Sequence, residues 1–95
     1  MKINTASPIL TYSGQPVRSE DGTVITLGSL VAAFLSNFRH DDKVKCFTLG
    51  QKFATQDEVD IDEADLALAK EACEAAPDAS NLVTGQILVA LAKVK

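Results

Sequence analysis

Leu27, Leu30, Val31, Phe34, Leu35 and Phe38 recur at the spacing of one face of an α-helix. That stripe constrains everything around it, because so broad an apolar face has to be covered by other elements. Thr26 stands just before the stripe and can cap the helix by accepting a backbone N–H. Polar Asn37 to Asp42, with charges of both signs, ends it. The covering faces must come from the same 95 residues, a length with room for a single core. An apolar fraction of 46% and a net charge of −4 argue against disorder. The longest near-apolar run, Leu27 to Leu35, falls far short of the roughly 20 residues of a membrane span.

Upstream of the stripe, residues 1–26 are rich in turn formers and β-branched residues. Pro8-Ile9-Leu10-Thr11-Tyr12 reads as a short strand, with Pro8 at its start. Ser13-Gly14-Gln15-Pro16 and Glu20-Asp21-Gly22 read as turns, and Thr23-Val24-Ile25-Thr26 as the next β-branched run. A lone hairpin is marginal in water, so this zone must lean on helices.

Downstream, Asp41 or Asp42 can cap a second helix reaching about Thr55. It has two apolar rows, Val44/Phe47/Ala54 and Cys46/Leu49/Phe53, and Gly50 inside it either allows close packing or marks a break. Gln56 to Asp62 is an acidic linker whose Val59 and Ile61 tuck under the helices. Asp62 and Asp65 resemble a capping box for a third helix, which Pro77 ends. Asp78, Ser80 or Asn81 caps a last helix, whose end Lys93 and Lys95 complement. No internal repeat is visible. The expected architecture is α+β, mainly helical: an N-terminal β-hairpin or short meander packed on three to four helices. It forms one domain over residues 1–95, β-rich over 1–26 and helical over 27–95.

The same residues exclude several chemistries. The N-terminus has no apolar core of a secretory signal, so a cytoplasmic location is the expectation. Cys46 and Cys73 have no CxxC spacing and read as small buried hydrophobes. The single histidine, His40, lies among Arg39, Asp41 and Asp42 and leaves little room for metal sites or histidine-based catalysis. A pI near 4.7 and few aromatics argue against nucleic-acid partners. No phosphate-binding glycine loop and no nucleophile–base pairing is present. No cofactor, no metal site and no catalytic residue is expected.

Two surface features remain. From Asp57 to Glu74 there are eight acids and one base. A calcium loop fails on this segment: counted from Asp60, Ala64 stands where an oxygen ligand is needed and Asp65 where the glycine turn is needed. A solvated loop and a favourably charged helix start explain the run. Arg39, Lys43, Lys45 and Lys52 likewise read as a solvated helix face. The last helix is apolar at more than half its positions, and a surplus apolar face points to a partner or to self-association. Leu82, Ile87 and Leu91 are the candidate interaction residues there, with Asp57, Glu58 and Asp60 as the acidic candidates.

The order of short signatures is familiar: Met1-Lys2-Ile3-Asn4, Pro8-Ile9-Leu10, Gly14-Gln15-Pro16-Val17, the Thr26-Leu27 helix start, Asp57-Glu58-Val59-Asp60-Ile61 and Thr84-Gly85-Gln86-Ile87-Leu88. Across nearly its whole length the chain resembles a group of small proteins, generally of uncharacterised function, encoded by tailed bacteriophages and prophages. The resemblance implies synthesis in the bacterial cytoplasm during phage development. It also implies an assembly factor or minor morphogenesis component and carries over no catalytic residues. Together with the absent catalytic constellation and the surplus apolar helix face, it leads to a noncatalytic protein-interaction module in virion (tail or head) assembly, with a phage structural protein as partner and a homo-oligomeric state. The alternatives are an acidic regulatory or host-modulating binder working through residues 57–65, and an enzyme with an unrecognised site.

Overall fold

A computed structural model of the chain describes residues 2–39, 41–76 and 80–93. The expectations for Met1, His40, Pro77, Asp78, Val94 and Lys95 lie outside them. In chain order the elements are β1 (Lys2–Asn4), α1 (Leu27–Asn37), α2 (Lys43–Thr55), β2 (Glu58–Asp60), α3 (Glu63–Glu74) and α4 (Asn81–Ala92). The mainly helical α+β architecture is the one the sequence implies.

Each helix begins where a short polar side chain can take an orphan N–H. Thr26 and Ser29 form a reciprocal capping box on α1: each hydroxyl accepts from the other's backbone N–H at 3.3 Å. Asp42 accepts from Lys45 N–H at 2.9 Å, Asp62 from Asp65 N–H at 2.8 Å and Ser80 from Val83 N–H at 3.3 Å. Helix α1 is central, packing on both α2 and α3, and α3 in turn packs on α4. The core joins Val31 and Leu35 of α1, Leu49 and Phe53 of α2, Ala69 and Cys73 of α3, and Ile87 and Leu91 of α4.

The regular sheet is long-range. Strand β1 pairs antiparallel with β2, Ile3 opposite Val59, and both side chains are buried. Val59 and Ile61 do tuck under the helices as expected, Val59 from within a strand.

The β character of residues 8–26 takes the form of three isolated antiparallel bridges, Leu10–Pro16, Arg18–Val24 and Pro8–Thr26. These bridges expose an internal repeat with a period of eight residues, correcting the expectation that there is none. The backbone hydrogen bonds close a ring: Val17 N–H donates to Ile9 at 2.8 Å, Ile25 N–H to Val17 at 2.9 Å, and Ile9 N–H to Ile25 at 2.9 Å. Around it, Thr11 N–H donates to Gln15 and Ser19 N–H to Thr23, while Gly14 N–H returns to Thr11 and Gly22 N–H to Ser19. Gly14 and Gly22 hold φ of 89° and 86°, the left-handed region that such tight turns require. The third lobe opens into α1, and Leu27 N–H donates to Ser7 to complete the figure.

Two contacts fasten this motif to the helices. Leu10 N–H donates to Gln86 Oε1 at 2.8 Å, and Gln86 Nε2 donates back to the Leu10 carbonyl, so a side-chain amide serves Leu10 as a neighbouring strand would. At the other end, Gly28 N–H donates to the Thr5 carbonyl at 2.9 Å, Thr5 N–H to Asp57 at 2.9 Å, and the buried Thr5 hydroxyl to Gln56.

Candidate interaction surface

The apolar face expected of α4 is turned inward. Ile87 and Leu91 are both 0% exposed, one helical turn apart in the core, and Leu82 is half-buried. Because α4 is apolar nearly all round, composition showed that it had material to bury but not which row faced solvent. Val89 is the large apolar side chain it leaves outside, so Leu82, Ile87 and Leu91 do not make an open docking face in this structure.

Asp57, Glu58 and Asp60 are exposed, as expected of a solvated segment. They belong to or border β2, and the strand's alternation sends Val59 inward and its acidic neighbours outward. Glu58 lies 3.6 Å from Lys2 on the paired strand, and the Asp57 carbonyl serves Thr5.

Apart from Tyr12, whose phenol tip is polar, the most exposed large apolar side chains are on α2. Its buried row is Cys46, Leu49 and Phe53; the other apolar row faces solvent, with Val44 75% and Phe47 69% exposed. At i and i+3 these two side chains are neighbours on one face. Phe47 also forms part of the wall of a groove of about 1040 Å³ between the C-terminal half of α1 and α2. Phe38 and Arg39 stand on the α1 side, Lys43 at the amino end, and the small residues Gly50 and Ala54 line it further along. The sequence displays both rows of α2, and spacing alone does not choose between them. The lysines give no such choice, since Lys43 falls nearer the exposed row while Lys45 and Lys52 fall nearer Leu49 of the buried one.

Lysines flank the exposed row on both sides. At about 100° per residue, Lys43 falls on the groove side of Val44 and Phe47, and Lys45 and Lys52 on the opposite side. Lys45 reaches Asp65 of α3 at 4.0 Å. Asp41 and Asp42 sit at the amino end, where Asp42 is the helix cap.

Cys46 and Cys73 are free and buried. Burial pushes the Cys73 thiol up to about 12, with the Glu74 charge adding to it, and burial also raises Cys46. Both are thereby kept protonated and unreactive. Among the described residues no cluster of His, Cys, Asp or Glu could hold a metal ion, and no helix is long and apolar enough to cross a membrane. Comparison with known protein families, curated proteins and solved structures gives no significant match to the chain.

Proposed function

We propose that the chain is a noncatalytic protein-interaction module whose docking surface is the outer face of α2. The observation that carries this reading is the exposure of Val44 and Phe47 side by side on a helix that already has a complete buried row. Two large apolar side chains held in water beside a groove are the arrangement expected where a partner protein completes the burial. The resemblance to phage and prophage proteins supplies the setting: virion assembly in the bacterial cytoplasm, with a tail, head or connector protein as partner.

The test is capture during prophage induction. Tagged full-length chain and its Val44→Asp/Phe47→Asp variant are expressed in parallel, and the captured proteins are identified by mass spectrometry. The expected result is a virion structural protein bound by the parent chain and lost from a variant with an unchanged circular dichroism spectrum. Equal capture by both chains would reject the α2 face, and capture of host proteins alone would reject the assembly role.

A further inference from the structure

We infer that the occupant of the α2 face is an acidic amphipathic helix of a partner protein, laid along the groove between α1 and α2. The inference rests on the reading that this face docks a protein, and adds the partner's chemistry. Three observations carry it.

The first is charge. In a chain of net charge −4, α2 holds three lysines and no acid. Lys43 and Lys52 lie on opposite sides of the Val44–Phe47 stripe, and neither makes an ion pair among the described residues. With Arg39 they set three cations about an apolar centre: Arg39 and Lys43 line the groove, Lys52 stands beyond it on the far side of the stripe, and Asp41 is the acid in the groove lining, at its amino end, beside the helix cap Asp42. Carboxylates flanking an apolar stripe are the complement of that arrangement.

The second is shape. The groove runs between two helices, and small Gly50 and Ala54 line it while Phe38 and Phe47 stand as walls. A helix fits such a channel through its own i, i+3, i+4 anchors. Thirteen residues of α2 extend for about 20 Å, enough for three to four turns of a partner.

The third weighs against a parallel self-contact. Two α2 faces packed side by side in the same direction about a twofold axis would set each lysine beside its own copy, and like charges across an interface oppose association.

The test uses the isotope-labelled full chain and two synthetic peptides of equal length. Both carry one leucine stripe; glutamates flank it in one and lysines in the other. The glutamate peptide is expected to shift the amides of residues 43–55 and to bind about tenfold more tightly than its twin at low salt, with the preference shrinking as salt rises. Lys43→Glu/Lys52→Glu should invert the preference. The inference fails if neither peptide shifts residues 43–55, or if the two bind equally. It also fails if the chain self-associates in sedimentation through a contact that Val44→Asp/Phe47→Asp abolishes, or if anionic phosphatidylserine vesicles perturb α2 more strongly than the glutamate peptide does. A partner captured through Val44 and Phe47 alongside charge-indifferent peptide binding would sink the acidic helix alone. Capture indifferent to both residues would sink the docking face itself.

Discussion

At Gly28 a single methyl group has nowhere to go. A Cβ there would lie 2.5 Å from the Phe53 carbonyl oxygen and 2.7 Å from Thr5 Cβ. The first of these is backbone and cannot turn aside. Gly28→Ala should therefore lower stability by about 1–3 kcal/mol through overpacking, as measured by urea denaturation. Gly85, in α4, is the opposite case, since a Cβ there meets nothing within 4 Å. Gly85→Ala should raise stability by about 0.5–1 kcal/mol, from helix propensity and a less mobile unfolded chain. Asp21 sets a pH limit on its turn. The Ser19 hydroxyl, then the Thr23 N–H, hold its carboxyl at about 2, below its ordinary 3.8. A lowered carboxylate steadies the fold above its unfolded value and loses that contribution as pH falls through the folded one. The Thr23 amide resonance should therefore titrate with a midpoint near pH 2, and Asp21→Asn should flatten the transition. Cys73 runs the other way. Native protein at pH 8 should resist iodoacetamide at this thiol and react once urea opens the core, since the group stays protonated until about 12.

Element by element, the helices were legible because each carries its own start signal. Thr26, Asp42, Asp62 and Ser80 are small polar residues directly before an apolar periodicity, and all four are caps. The strands were not legible. Three residues show no period, and β1 finds its partner only after two helices have intervened. The eight-residue repeat escaped for a related reason. What recurs is a pattern of backbone hydrogen bonds, and the side chains record it only faintly, in β-branched Ile9, Val17 and Ile25 and the paired Gly14 and Gly22. The candidate surface was half legible. Both apolar rows of α2 could be read off, but the choice between them is made by α1, which takes Cys46, Leu49 and Phe53. Mutation should separate the rows cleanly. Phe53→Ala should cost about 3–5 kcal/mol, as truncation of a fully enclosed aromatic does, whereas Phe47→Ser should leave stability within about 0.5 kcal/mol. Comparable losses at the two sites, by thermal or urea unfolding, would mean that Phe47 is enclosed.

For the molecule as a whole, the sheet pairing has a consequence in time. Ile3 sits opposite Val59, 56 positions later in the chain. Bacterial and eukaryotic ribosomes add about 5–20 residues each second, so roughly 3–11 s separate the synthesis of β1 from that of its partner. During that interval α1 and α2 can form and meet through local contacts, while the first strand has an open edge. The octad ring follows it and is closed on itself except at Leu10, whose N–H and carbonyl wait for Gln86. What is synthesised first is therefore joined late, and a nascent chain halted before Val59 would carry an unsatisfied strand at its leading end and, directly behind it, a knot of turns open only at Leu10.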